Sequence, residues 1–371
     1  MPAGRAEAIY NDMPLSALAA RVEAEPIDPP NRSHLSLPLD IHPALIHRTR
    51  NRNTLMSHIV IVGAGPTGTA TARQLAPRGH RVTVVTRTGD RSLGDGIERV
   101  SADATDSAAL TAICRGANAV INCANPPYTT WATSWPPLAS SFLEAAQRSG
   151  AALITMSNLY GYGPVSGPMH AMLADRATGA NGKVRAQMWA DAKAAHDTGR
   201  IRAVEVRASD FFGPDVTDSS IGQRVVPRIL AGKNVQFLGD LDVPHSYTYA
   251  PDAARVLATL AESADHDDTL FGRTWLVPSI DSTQRAMVEA IAAASDVAVP
   301  KMSTMGPWFL NTIGTVVPIV RALKEVRYQF TEPFIIDATE TTAATRIAPT
   351  DTEAAIASTV AWWRAQESKP R

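Results

Sequence analysis

An α/β fold with a doubly wound parallel sheet, followed by a smaller mixed α/β C-terminal region, is predicted by three features of this 371-residue chain. Residues 57–87, SHIVIVGAGPTGTATARQLAPRGHRVTVVTR, read as strand, glycine turn, helix, strand. Short apolar strands and helices then alternate as far as residue 213, the pattern of a parallel sheet covered on both faces. Beyond Pro214 the order changes to shorter, more varied pieces.

The first element carries the most information. Ile59 to Val62 is a continuous apolar run, as expected of a strand buried on both faces. Gly63, Gly65 and Gly68 follow with G-x-G-x-x-G spacing: one glycine for the turn, one for approach of a pyrophosphate, one for close helix packing. Pro66 suits the first helical turn, where its missing N–H costs nothing. The strand–turn–helix context predicts a Rossmann dinucleotide site, with Gly63, Gly65, Pro66, Thr67 and Gly68 against the diphosphate, the alternative being a glycine turn used only for packing. The second strand, Arg81 to Thr86, ends in Thr86-Arg87-Thr88 and not in an acidic residue. A guanidinium and hydroxyls suit a ribose 2′-phosphate, so NADP is expected, with NAD as the alternative.

A third strand, Gly96 to Val100, runs into Ser101-Ala102-Asp103-Ala104, which places Asp103 and Ala104 within reach of an adenine. Asp106 or Thr105 can cap the next helix. A fourth strand, Ala119 to Asn122, ends in Cys123-Ala124-Asn125, small residues on the ligand side of the sheet. Leu138 to Arg148 reads as helix, Ala151 to Met156 as a fifth strand, Lys183 to Thr198 as helix and Ile201 to Val206 as a sixth strand. Later come a helix near Gln223 to Leu230, a strand near Asn234 to Leu238, and helices beginning at Pro251, Ser282 and Thr352. Residues 56–213 are thus expected to form the dinucleotide-binding domain and 214–371 mainly the substrate region, with 245–262 returning to the first domain. Residues 1–55 are proline-rich and aperiodic; disorder is expected there, with Met56 a candidate start.

Composition removes several classes. The 35 basic residues balance the 36 acidic ones, giving no electrostatic footprint for nucleic acid or an anionic membrane. No run approaches the roughly 20 apolar residues of a membrane span, and the nearest, Gly306 to Val320, is broken by Asn311, Gly314 and Pro318. Cys114 and Cys123 make neither a disulfide framework nor a metal cluster, so a reducing, cytoplasmic setting and no metal are expected.

The order of motifs resembles the short-chain dehydrogenase/reductase superfamily, and within it the extended NAD-dependent epimerase/dehydratase family, over about residues 57–365. The resemblance rests on the glycine turn, Ser101-Ala102-Asp103, Asn122 to Ala124, Leu159-Tyr160-Gly161, Arg207 through Gly213-Pro214, and His245 to Asp252. It implies an NAD(P)-dependent oxidoreductase or epimerase/dehydratase-like enzyme acting on a small carbonyl or hydroxyl compound. Two departures stand out. Val62 replaces the family's first glycine, and the register of its Tyr-x-x-x-Lys pair falls on Asn181 and Arg185. Asparagine has no proton to give near neutral pH and arginine stays charged, so the usual acid/base pair is missing.

Other residues are candidates for the role: Tyr160 or Tyr162 as proton donor, Lys183 or Arg185 lowering its pKa, and Ser157 orienting a carbonyl. His245 is either a substrate contact and proton relay or a loop fastener bound to backbone. Asp210 and Asp252 form a weaker carboxylate pair, Asp252 fitting a helix N-terminus better. Trp308, Phe309, Ile313, Val316, Val317 and Ile319 form an apolar face, read as a core helix, a pocket wall or a homodimer contact. The chain lacks the arginine cluster expected for a nucleotide-sugar diphosphate, which suggests a smaller or more apolar substrate. The rival to an enzyme is a non-catalytic NADP-binding sensor or scaffold.

Overall fold

The computed structural model describes residues 56–88, 93–305 and 325–368. The stretch 1–55 and the apolar face from Trp308 to Ile319 lie outside the described residues. The main sheet has seven strands: β1 (His58–Val62), β2 (Arg81–Thr86), β3 (Ile97–Ser101), β4 (Ala119–Asn122), β5 (Ala152–Asn158), β6 (Ala203–Ala208) and β10 (Thr274–Leu276). Their order is β10-β6-β5-β4-β1-β2-β3 and every pairing is parallel. The order reverses between β1 and β4, the switch point at whose carboxyl ends open α/β sheets bind ligands.

Alternate residues of β1 feed opposite layers, which is why its sequence is apolar without a break. Ile59 and Ile61 join Val82, Val84 and Ile154 under helices α1 (Pro66–Leu75) and α6 (Ala250–Ser263). Val60 and Val62 face α2 (Ser107–Ile113), α3 (Trp131–Ser149) and α4 (Ala180–Asp197) with Leu110, Trp135, Phe142 and Ala145. Each such side chain, fully withdrawn from water, contributes about 1.5–3 kcal/mol.

Two smaller sheets complete the described fold. One has the order β11-β9-β7, formed by β11 (Ile280–Ser282), β9 (His245–Tyr249) and β7 (Asp210–Phe212). The other pairs β12 (Met302–Met305) with β8 (Val235–Leu238). Helices α5 (Val226–Leu230), α7 (Gln284–Ala294) and α9 (Thr352–Glu367) close over them, after the short α8 (Thr339–Thr345), around Phe212, Ile229, Phe237, Tyr247, Ile291 and Ile356.

Several elements depart from the sequence expectation. α3 starts at Trp131, seven residues before Leu138, and carries Pro136 and Pro137 in its second turn. Their absent N–H groups forgo only bonds to the helix's first carbonyls. β10 had no counterpart in the expected elements, yet it extends the main sheet from beyond residue 213. Asp106 caps α2 by accepting from the Ala108 and Ala109 amides, each at 3.0 Å. Asp252 lies in the first turn of α6, as the helix N-terminus reading expects; buried, it accepts from the Thr350 amide at 2.7 Å and from Arg255 at 2.7 Å.

Candidate active site

The three glycines of the first turn have different jobs. Gly63 has φ +107°, and a Cβ there would lie 2.5 Å from the Cys123 carbonyl oxygen. A Cβ on Gly68 would lie 2.0 Å from the Gly63 oxygen, so this glycine lets α1 close onto the turn. A Cβ on Gly65 meets nothing within 4 Å. The turn is therefore fixed by Gly63 and Gly68, and Gly65 opens onto free space at the N-cap of α1. No side chain caps that helix and no acidic residue sits in its first turn. Its leading N–H groups and the positive end of its dipole thus face the opening over Pro66 and Thr67.

Around this turn the neighbouring strand tips supply the other expected contacts. Arg87 is exposed at the end of β2, and its carbonyl accepts from Ser101 Oγ at 2.7 Å. Asp103 Oδ1 is occupied by its own turn, accepting from the Thr105 amide at 2.9 Å and hydroxyl at 2.8 Å. Those bonds, with the nearby Arg87 charge a smaller contributor, hold its carboxyl below the usual range. Ala104 is half-buried beside it, and Thr86 and Thr88 flank Arg87. Asn122 is buried and its side-chain oxygen accepts from the Ala124 amide at 3.1 Å, bending the chain so that Cys123 and Ala124 border Gly63. Asn125 is exposed on the same rim.

The expected catalytic residues separate into two groups. Ser157, near the end of β5, is buried, and its Oγ has no partner among the described residues. Tyr160 follows in a single turn, Tyr160–Tyr162, half-buried against Tyr128 and Trp131 at ring-centroid distances of 6.1 and 5.9 Å. Burial first, then Tyr128 and Asp210, push its hydroxyl well above the ordinary phenol value. The expected lowering by a neighbouring cation is therefore not what the structure gives. Tyr162 points into the core beneath Arg207, whose guanidinium carbon is 4.3 Å from its ring centroid. Burial raises its pKa to about 12, with Arg207 opposing in part.

Lys183 is exposed on the outer side of α4 and does not join Ser157 and Tyr160. Asn181 and Arg185, one turn apart on the inner side, are both buried. Asn181 donates to the Tyr128 carbonyl at 3.3 Å. Arg185 donates to the Met156 carbonyl at 2.8 Å, and its guanidinium carbon lies 4.6 Å from the Trp135 ring centroid. Burial draws its pKa down to about 10, which leaves it charged at neutral pH. Arg207, beside them, is held by Glu205 at 2.7 Å and by both oxygens of Asp175 at 2.6 and 2.9 Å. Burial works against its charge, but Glu205 and Asp175 outweigh it and raise the pKa.

The sequence reading named Asp210 and His245 without joining them, and the structure does. His245 is buried, with Nδ1 2.9 Å from the Gln329 carbonyl and Nε2 3.3 Å from Asp210 Oδ2. Its ring stacks on Phe330 and Phe334, each at 5.3 Å. The contact with the Gln329 carbonyl is the one the backbone-fastener reading of His245 expects.

Among the described residues no helix is long and apolar enough to cross a membrane, and no group of three or more His, Cys, Asp or Glu could hold a metal ion. Residues 59–271 match the model of the NAD dependent epimerase/dehydratase family. No curated protein matches the chain. The fold is similar to that of UDP-glucuronic acid 4-epimerase from Bacillus cereus in complex with NAD, at 15% identity and a TM-score of 0.69, covering 84% of this chain and 100% of that one. It is also similar to UDP-glucose 4-epimerase from Thermotoga maritima with UDP-glucose, at 15% identity and TM-score 0.69, over 84% and 100% of the two chains. A third similar structure is dTDP-glucose 4,6-dehydratase from Bacillus anthracis in complex with NAD, at 15% identity and TM-score 0.68, over 84% and 97%. At that identity these structures speak to the fold alone, and the family match covers more than half of the chain. The chain belongs to the NAD dependent epimerase/dehydratase family and is an NAD-dependent epimerase/dehydratase-like enzyme.

Proposed function

We propose that the chain is an NADP-preferring oxidoreductase or epimerase-like enzyme that acts on a carbonyl or hydroxyl carbon of a small molecule held above Ser157 and Tyr160. The observation that carries the cofactor reading is the open Gly65 at the uncapped end of α1, bounded by two glycines that admit no Cβ. Gly65, Pro66, Thr67 and Gly68 would hold the diphosphate through backbone N–H groups, except at the imino Pro66, while Cys123, Ala124 and Asn125 line the rim. Arg87 stands where a carboxylate would accept from a ribose diol, and its charge favours a 2′-phosphate. When bound, the nicotinamide supplies hydride exchange.

The remaining chemistry belongs to side chains. Tyr160 keeps its proton across the neutral range because burial opposes ionisation, which suits it to donate a hydrogen bond to a substrate oxygen. Ser157 Oγ has no partner among the described residues and would make the second bond. Tyr162 and Lys183 have no part in this reading, the first because it is core and the second because it faces solvent. Arg185 fixes the end of β5, on which Ser157 sits, and so acts as a positioning residue.

Turnover tests this. Consumption of NADPH with a panel of ketones, aldehydes and keto-sugars, lost in both Tyr160→Phe and Ser157→Ala, supports it. Tight NADPH binding with no flux across the panel would favour the sensor, a reading encouraged by the replacement of the family's acid/base pair with Asn181 and Arg185.

A further inference from the structure

The chain between the Tyr160–Tyr162 turn and α4, residues 163–179, folds its last stretch back onto the turn itself. The Gly161 carbonyl accepts from the Arg176 amide at 2.9 Å and from the Ala177 amide at 3.0 Å. A Cβ on Gly161 would lie 2.7 Å from Asp175 Oδ1, so the missing side chain makes room for that carboxylate. α4 closes in as well. A Cβ on Gly182 would lie 2.6 Å from the Tyr160 carbonyl oxygen and 2.5 Å from the Ala177 Cβ. The backbone of Tyr160 and Gly161 is thus packed against residues 175–177 and the first turn of α4.

Arg207 fixes Asp175 in this place. It pairs with Ser157 in the β5–β6 register and is buried. Its two terminal nitrogens donate to the two Asp175 oxygens at 2.6 and 2.9 Å, its Nε donates to Glu205 at 2.7 Å, and its guanidinium covers the Tyr162 ring. The two acids are not equivalent. Glu205 lies two residues away on the same strand and shares its face, so that bond is local. Asp175 comes from a loop 32 residues earlier, and a two-point grip fixes its orientation as well as its distance. The grip on Asp175 therefore sets where the Arg176 and Ala177 amides lie, and through them where Gly161 lies. The entry of the turn is held separately, by the Tyr160 amide donating to Asn158 Oδ1 at 3.1 Å.

We propose that Asp175 is a positioning residue of this active site: gripped by Arg207, it locks the exit of the Tyr160–Tyr162 turn and so sets the direction of the Tyr160 hydroxyl. Its catalytic consequence rests on the reading of Tyr160 as the group that donates to a substrate oxygen. Without the Asp175 carboxylate, Arg207 keeps Glu205 and remains paired, so the sheet is retained. The amides that hold Gly161 lose their fixed approach, and the turn no longer has one setting. A misplacement of about 1 Å can lower a rate about a hundredfold.

The test uses the full chain labelled with 3-fluorotyrosine, in which the seven tyrosines report separately by fluorine NMR and the Tyr160 signal is identified by its loss in Tyr160→Phe. Wild type is compared with Asp175→Ala, Gly161→Ala and the double variant. The Tyr160 signal is expected to shift or broaden in both single variants. The double variant should match Asp175→Ala alone, because the added Cβ then has no carboxylate to displace. With any compound the wild type turns over, kcat should fall at least about tenfold in Asp175→Ala while KM stays within about threefold. Should Asp175→Ala not fold, Asp175→Asn, which gives up the charge and keeps the shape, carries the same expectation. A brace serving stability alone would move the Tyr162 signal and the urea midpoint and leave the Tyr160 signal and kcat unchanged; that result overturns the proposal, as does simple addition of the two single effects. The fluorine signals decide the latch by themselves where the wild type shows no flux, so a failure of the proposed reaction is read separately.

Discussion

The Arg185 guanidinium donates to the Met156 carbonyl at 2.8 Å and covers the Trp135 indole at 4.6 Å. In the position where the family's lysine serves the reaction, this chain has a buried brace. A planar fork reaches the carbonyl and the ring face together, and an ammonium cannot do both. Arg185→Lys is therefore expected to lower stability by about 1–2 kcal/mol in urea unfolding. NADPH affinity should stay unchanged, because the brace does not touch the glycine turn. A lysine variant with wild-type stability would show that the arginine is incidental.

The glycine turn predicts opposite phenotypes for neighbouring substitutions. Gly68→Ala forces a Cβ against the Gly63 oxygen, and Gly63→Ala adds a left-handed backbone to a similar clash. Each should cost more than about 3 kcal/mol of stability, or abolish folding. Gly65→Ala should cost less than about 1 kcal/mol, since its Cβ meets nothing, yet reduce dinucleotide affinity at least about tenfold. Melting curves with and without NADPH separate the two effects.

The proposed preference for NADP rests on Arg87 and is tested there. Arg87→Ala should weaken NADPH about tenfold or more, the loss of one charge-assisted bond, and leave NADH within about twofold. Fluorescence titrations of both reduced cofactors check it. An equal loss for both would remove the 2′-phosphate from the reading.

Alkaline pH should unfold the protein through its buried phenols. Tyr160, Tyr162 and Tyr247 all have raised folded-state values, caused first by burial, with Tyr162 at about 12. In the unfolded chain they ionise near pH ~10. Their contribution is thus intact below pH ~10 and is lost as pH climbs towards the folded values, because the unfolded state releases the protons first. The urea midpoint should fall above pH ~10, and the tyrosinate absorbance should rise together with loss of structure. Tyr162→Phe should make the fall shallower.

How much of this was legible in the sequence varies with the physics involved. β2 and β4 fall on the expected residues because an apolar run bounded by turn residues leaves little choice. β10 was missed because three residues, Thr274–Leu276, are too few to show a period, and only its pairing with β6 makes it a strand. Lys183 could have been set aside earlier: it lies two residues from both Asn181 and Arg185, so on a helix it must face away from them. Tyr160 and Tyr162 are chemically identical, and their different fates depend on Arg207, which arrives from a strand more than 40 residues later. The pairing of Asp210 with His245 is likewise a product of sheet topology, since β7 and β9 become neighbours only in the folded chain.

Isothermal titration of the full chain with NADPH and NADH, alongside Gly65→Ala, tests the dinucleotide site most directly. Saturable heat with NADPH, weaker heat with NADH and a marked loss in the variant are expected. Absence of heat and of thermal protection with both dinucleotides, in their oxidised as well as reduced forms, would contradict the site and every side-chain role assigned around it.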